Sequence, residues 1–389
     1  MASSIETTST TTMLKNNGNT YLSVDTNDVV TMNVASLNGG QLGGNRNRII
    51  NGDMRIDQRN AGASVTNIAG YVYCLDRLIL GASQASKFTA QQNAGSVTPP
   101  AGFNNYLGAT SSSAYTVGTS EQFWIIQRIE GFNTADLAWG TANAQTVTLS
   151  FWVRSSLTGT FGGSIYNSGA NYSYPFSYSI ASANTWTKIS LAITGPTAGT
   201  WVGSTNGTGI QINFSLGAGA TSSGTAGAWS SNFYASATGA TSVVGTSGAT
   251  FYITGLQMEL GTVATPFEHR SYGTELALCQ RYYEKSYNQS AAPASLTGNG
   301  AVVYMRTGAE TKSLVTAEYN VRKRANPTVV WYNHSTGASG TLFNTSIGVF
   351  SITGVYVPAS ESNTGSVTHA SNGGAGQVIM GHWTAEAEL

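Results

Sequence analysis

Charge is scarce in this sequence: 9% of its 389 residues are Asp, Glu, Lys or Arg, against roughly 25% in ordinary soluble domains. The 18 basic and 18 acidic residues cancel, and the longest basic run is Arg322, Lys323 and Arg324. A phosphate backbone requires a concentrated basic face, so nucleic acid is excluded as a partner. Histidine is rarer still, at four residues (His269, His334, His369, His382) with no ligand spacing, which argues against a zinc centre. Long apolar runs are missing too. No window approaches the ~18 apolar residues of a membrane-spanning helix, and the opening MASSIETTSTTT has neither a charged n-region nor an apolar core. Membrane insertion and signal-directed export are therefore not expected. The two cysteines, Cys74 and Cys279, lie far apart in apolar stretches. They are expected as free buried thiols, with a single disulfide as the alternative. No GxSxG, HExxH, GxxxxGK or CxxC pattern is present to suggest an enzyme.

What fills the space is 46 glycines, many Ser, Thr, Asn and Ala, and an aromatic content of 10%. With 41% hydrophobic residues and zero net charge the chain does not read as disordered. Its patterning is β. Val147, Leu149, Phe151 and Val153 share one face of a strand, opposite Thr148, Ser150, Trp152 and Arg154. Ile210, Ile212, Phe214 and Leu216 repeat the design, as do Thr187, Ile189, Leu191 and Ile193 against Trp186, Lys188 and Ser190. Phe123 to Ile129 is more continuously apolar, as suits a central strand covered on both sides. These readings predict an all-β chain: an antiparallel β-sandwich over 46–270 and a smaller C-terminal β domain over 271–389, preceded by one helix.

That helix is expected at Gly273 to Lys285, with Thr274 able to cap it and Leu276, Cys279 and Tyr283 on one face. Residues 1–45 read as an extended N-terminal segment. Within it Met1 to Thr12 is a polar tail, and Tyr21 to Asp25 and Val29 to Val34 are short strands. Two such strands are marginal alone, which implies pairing with other copies of the chain or docking on a partner.

Two stretches, NRIINGDMRIDQRNAG (Asn47 to Gly62) and TGLQMELGTVATPFEHRSYGTELALCQRYYEKSY (Thr254 to Tyr287), resemble segments of tail-fibre and receptor-binding proteins of tailed bacteriophages. There the first opens a β-sandwich and the second closes it and leads into a distal domain. The strand order between them resembles the jelly roll of carbohydrate-binding modules. The resemblance implies a structural, non-enzymatic virion fibre component, assembled in the host cytoplasm. It would form a homotrimer, attach to other phage virion proteins through its N-terminal segment, and bind host surface polysaccharide or lipopolysaccharide. A glycan-degrading tail spike and a capsid or tail decoration without receptor role are the alternatives.

A sugar ring offers an apolar face and a rim of hydroxyls, so its site needs exposed aromatics beside hydrogen-bonding side chains. The candidates are Trp152, Arg154, Trp124, Gln127, Tyr172, Tyr174 and Tyr178, with Trp331, Tyr332, His334 and Trp383 as a distal alternative. Asp53 and Asp57 have the residue type of a glycosidase pair. Flanked by Arg55 and Arg59, they read better as salt-bridge and turn-capping residues. No cofactor is expected, and a structural Ca2+ held by carbonyls is left open, with no residues assigned.

Overall fold

The computed structural model describes residues 45–305, 312–316, 318–352, 354–355, 360–362, 367–370 and 376–389, and four strands nearer the N-terminus. Those four, β1 (Ser3–Thr7), β2 (Thr12–Asn16), β3 (Asn19–Val24) and β4 (Val30–Met32), form an antiparallel meander in chain order. The expected tail is thus in part a strand, with Ile5 opposite Leu14. Its hydroxyl-rich sequence conceals a strand because Thr and Ile are β-branched and suit a pleated surface. The strands also supply one another's hydrogen bonds, so pairing does not by itself require a second copy.

The middle of the chain is a jelly-roll β-sandwich. Its strands are β5 (Gly70–Leu75), β6 (Leu78–Ala82), β7 (Phe88–Gln92), β8 (Leu107–Ser111), β9 (Gln122–Glu130), β10 (Val147–Ser155), β11 (Gly159–Asn167), β12 (Ser173–Ile180), β13 (Thr187–Ile193), β14 (Thr208–Ala218), two short strands β15 (Ser223–Gly224) and β16 (Ser236–Ala237), and β17 (Thr250–Leu260). A five-stranded sheet runs β13-β10-β17-β8-β7, and a six-stranded sheet runs β12-β11-β14-β9-β6-β5. Both are antiparallel. The expected apolar faces of β10 and β14 meet in one core, with Phe151 and Phe214 edge to face at 4.9 Å. Strand β9 is central and buried on both faces, as its continuous apolar run implies.

Helix α1 (Tyr272–Gln280) follows the sandwich; it starts one residue before the expected Gly273 and ends five residues before the expected Lys285. Ser271, not Thr274, is its N-cap, its hydroxyl accepting from the Thr274 amide at 3.3 Å. After Gln280 the chain turns into β18 (Tyr283–Lys285), where consecutive aromatics favour a strand. Then come β19 (Val302–Met305), β20 (Lys312–Val315), β21 (Thr328–Tyr332), β22 (Thr341–Asn344), β23 (Gly348–Ser351), β24 (Gly354–Val355), β25 (Val367–Ala370) and β26 (Val378–Glu386). Strand β26 organises this unit, pairing with β18, β19, β21 and β22. Trp331, Leu342, Ile379 and Trp383 form its core.

The stretch Asn47 to Gly62 is a seam between these parts. Ile50 and Ile56 pack on Cys279 and Tyr282. Asn51 is fixed by its amide to Glu275 at 2.5 Å. Asp53 pairs with Arg55 at 3.0 Å, and the carboxylate oxygens of Asp57 accept from the amides of Asn60 and Gly62 at 2.8 and 2.6 Å. Both acids thus hold the seam in place. Arg77 is buried here and Arg59 largely so; they share Glu388, which arrives on the segment following β26, and Arg59 also meets Glu386 at 3.3 Å. The thiols of Cys74 and Cys279 are free and buried.

Two predictions concern this seam. Glu388→Ala strands the buried Arg77 guanidinium and leaves Arg59 with Glu386 alone, and should cost roughly 3 to 5 kcal/mol in urea unfolding, the scale of a broken buried ion pair. A loss within error of zero would show that the seam does not carry the fold. Asp76, buried beneath Gln58, has its carboxyl pushed from 3.8 up to about 6 by burial, against the pull of Arg59 and the Gln58 hydrogen bonds. A raised folded value means its contribution is intact below about pH 4 and lost as pH rises through about 6. Asp76→Asn should therefore gain on the wild type by roughly 3 kcal/mol between pH 4 and pH 7. Parallel pH profiles in urea would refute the assignment.

Candidate functional site

Strands β12 and β13 are the terminal strands of the two sheets and lie on the same side of the sandwich. Between them runs a groove of about 320 Å3, lined by Tyr174, Phe176 and Ser177 of β12, the segment 190–193 of β13, and Ala226 and Gly227. Its formation follows from the sequence. Period two sends Tyr172, Tyr174, Phe176 and Tyr178 to one face of β12, the face toward the sandwich interior. Tyr178 is buried deep among Phe161, Phe151 and Phe176, whereas Tyr172 and Tyr174 sit where the two sheets part and are half-buried.

Behind Tyr174 stands a cluster that sequence reasoning missed. Trp229 is 5.1 Å from Tyr174 and stacks on Tyr172 at 5.8 Å and 19°. Trp139 and Trp201 meet it edge to face, both at 5.5 Å. The three indole N–H groups are all used internally. Trp139 donates to Gln145 O at 2.8 Å, Trp201 to Ala198 O at 3.1 Å, and Trp229 to Thr194 O at 2.7 Å. The last bond ties the loop carrying Trp229 to the end of β13. The aromatics thus form a rigid wall, and the groove's polar handles are the backbone of two edge strands, with Ser177 and Ser190 at its outer rim. An aromatic wall beside hydroxyls and backbone groups can take the apolar face and the hydroxyl rim of a sugar.

Trp152 and Arg154 lie on a different surface, the outer face of the five-stranded sheet. Trp152 is half-buried, facing Lys188 on β13 and Thr254 on β17. Its ring and that of Phe103 roof Gly255, whose φ is +61°. A Cβ there would lie 3.0 Å from Trp152 Cδ1 and 2.7 Å from Phe103 Cζ. Phe103 in turn meets Phe267 at 5.1 Å and His269 at 5.3 Å. Arg154 is engaged rather than free: its Nε donates to Asn184 O at 2.9 Å and its guanidinium lies 5.5 Å from the Tyr252 ring.

Other expected site residues are not at a surface. Trp124 is buried over Gly81 and held between Tyr71 and Phe233. Gln127, three positions on, points to the other face of β9 and donates to Ile50 O at 3.2 Å, so the two cannot share a site. Nor do the distal candidates share one. Trp331 and Trp383 are cross-strand partners in the core of the C-terminal unit. Tyr332 and His334 are half-buried and pack on Tyr287 and Phe343. Among the described residues no three His, Cys, Asp or Glu side chains gather as a metal site.

No protein-family model matches the chain, and no curated protein matches it in sequence. Solved structures similar to it include the enzymatically active domain of bacteriophage CBA120 tailspike protein 4, at 14% identity, 55% of this chain, 21% of that chain and a TM-score of 0.30. The chain thus spans about a fifth of the tailspike chain it matches. A putative sugar-binding protein from Bacteroides thetaiotaomicron is similar at 12% identity, 55% of this chain, 99% of that chain and a TM-score of 0.32. The family 11 carbohydrate-binding module from Clostridium thermocellum, in complex with a mixed-linked tetrasaccharide, gives 11%, 50%, 97% and 0.26. Likenesses of this size assign no ligand and no activity.

The two tryptophan environments make a testable contrast. Both indoles are half-buried, but Trp229 meets four other aromatic rings and bonds Thr194 O, so Trp229→Ala should cost roughly 2 to 3 kcal/mol of stability. Trp152→Ala should cost less, about 1 kcal/mol, since its ring is not part of such a cluster. Equal losses in chemical denaturation would mean that Trp152 is a core residue.

Proposed function

We propose that this chain is a receptor-binding component of a tailed-bacteriophage virion that holds a host surface glycan in the groove between β12 and β13 and does not cleave it. The observation that carries the reading is the groove itself. Tyr174 on its tryptophan wall offers a stacking surface, and the serine hydroxyls and edge-strand backbone offer hydrogen bonds. Its volume of about 320 Å3 suits one or two sugar units of a longer chain. The scarcity of charge fits a neutral or weakly charged saccharide, whose hydroxyls are met by hydroxyls and amides rather than ion pairs. The engagement of Asp53 by Arg55 and of Asp57 by turn amides supports the non-enzymatic reading. The phage assignment rests on the two stretches Asn47 to Gly62 and Thr254 to Tyr287. In the same reading residues 1–45 attach the protein to the particle, three copies assemble, and the virion is where the protein resides.

Filling the groove tests this without emptying the core. Ser190→Trp, on an exposed position of β13, should leave the melting temperature within a few degrees and reduce cell or polysaccharide binding by about tenfold or more. Unchanged binding per folded molecule would overturn the groove assignment and move attention to Trp152 and its aromatic neighbours. Deleting residues 1–45 should leave a soluble protein with the same β spectrum that no longer enters particles. Light scattering of the intact chain should give three times the chain mass, and a monomer free of virion partners would count against the assembly.

A further inference from the structure

The C-terminal unit holds a second, larger cavity of about 530 Å3, separate from the groove. Its lining is mostly polar and includes Gln280, Lys285, Asn288, Glu318 and Asn320, with Tyr287 and Trp383 as the aromatic elements. Lys285 is the residue that sets it apart. It is only 4% exposed, yet its ammonium meets just two backbone carbonyls, Gln289 O at 3.1 Å and Ala291 O at 2.7 Å. An ammonium has three donors, so one is left over. Among the described residues no carboxylate pairs with it. Lys323, the other buried lysine, shows what a settled charge looks like: it is paired with Glu284 Oε2 at 2.5 Å and bonded to two carbonyls besides. A buried charge with no carboxylate in direct contact is costly to keep, and burial pulls the Lys285 ammonium down to about 8 against the opposing, longer-range pull of Asp76 and Asp57.

We infer that this cavity binds a saccharide unit carrying a carboxylate, a uronic-acid-type sugar, with Lys285 as the counter-ion and Gln280, Asn288 and Asn320 meeting its hydroxyls. The chemistry argues for a carboxylate rather than a phosphate. One remaining donor and one positive charge match a monovalent anion, whereas phosphate sites gather several donors or a guanidinium fork. Glu318, at the exposed rim, can accept from sugar hydroxyls away from the bound carboxylate. The occupied volume suits a monosaccharide with room for its linkage to a neighbour. The site uses no residue of the β12–β13 groove, so the two stand or fall separately.

The test uses the full chain and three probes: methyl β-D-glucuronide, methyl β-D-glucoside and acetate, each titrated calorimetrically to about 10 mM. The expected result is a glucuronide about tenfold tighter than the glucoside, with acetate weaker than either. Lys285→Met should reduce the glucuronide to the level of the glucoside, while Ser190→Trp leaves the preference intact. Equal binding of the two sugars, acetate as tight as the glucuronide, or a preference that survives Lys285→Met would each overturn the assignment. Loss of the preference in Ser190→Trp would do the same, by locating it in the groove. Should Lys285→Met fail to fold, the wild-type chain can be labelled with 13C- and 15N-lysine and its lysine side chains followed by NMR. A Lys285 resonance that moves with glucuronide and not with glucoside supports the site, and one that moves with neither overturns it.

Discussion

Two guanidinium groups buried against one carboxylate hold the architecture together. Arg59 lies between the rings of Tyr73 and Tyr283, at 4.4 and 3.9 Å, and Arg77 sits 3.7 Å over Tyr282. Both are closed by Glu388, with Glu386 a second partner of Arg59 at 3.3 Å. Each buried ion costs several kcal/mol in lost hydration, so neither arginine is tolerable without its partner. The partner comes from the far end of the sequence, which forces β26 to run back toward the sandwich. Arg128, Arg281 and Arg324 extend the same arrangement to Leu389 O, Glu130 and Ala387 O. The C-terminal unit is therefore docked by charge in a chain that otherwise contains little.

That concentration explains what the scarcity of charge does elsewhere. A sandwich with few ionic groups must satisfy its surface with hydroxyls, amides and backbone. Its buried polar residues show this, as in the Gln257, Glu259 and Thr265 network, where Thr265 Oγ1 donates to Glu259 at 2.6 Å. The edge strands β12 and β13 follow the same logic. Neither is protected by a row of lysines, and Trp229 instead fastens a loop to the end of β13. The groove is what remains of the edge after that loop has covered part of it.

Period-two alternation made most of this legible. The apolar faces of β10, β13 and β14, the doubly buried β9 and the free thiols could all be read directly, because burial on one face leaves a repeating mark. The seam residues Asp53 and Asp57 were also readable, since acids flanked by arginines in a turn-rich stretch pair locally. Other features leave no period. Trp139, Trp201 and Trp229 stand in glycine- and serine-rich loops, where the only signal is that a large indole in a polar loop must pack on something. The helix start was readable to within one residue, but its cap was displaced by three, because Ser271 and Thr274 both carry a hydroxyl able to cap and the sequence pattern does not choose between them.

The site was only half readable for a related reason. Alternation tells which residues share a face, and it did place Tyr172, Tyr174 and Tyr178 together. It does not tell where along a strand two sheets diverge. On β12 that divergence separates Tyr178, sealed by Phe161 and Phe151, from Tyr174, four residues away and at the groove. For Trp124 and Gln127 the same rule, applied strictly, already forbids a shared site, since an odd separation puts them on opposite faces. A binding surface on a jelly roll is therefore fixed by two things that strand patterns leave out: the splay of the sheets at their edge, and the loops that wall it. Here the wall is set by tryptophans whose sequence neighbours are mostly small or polar.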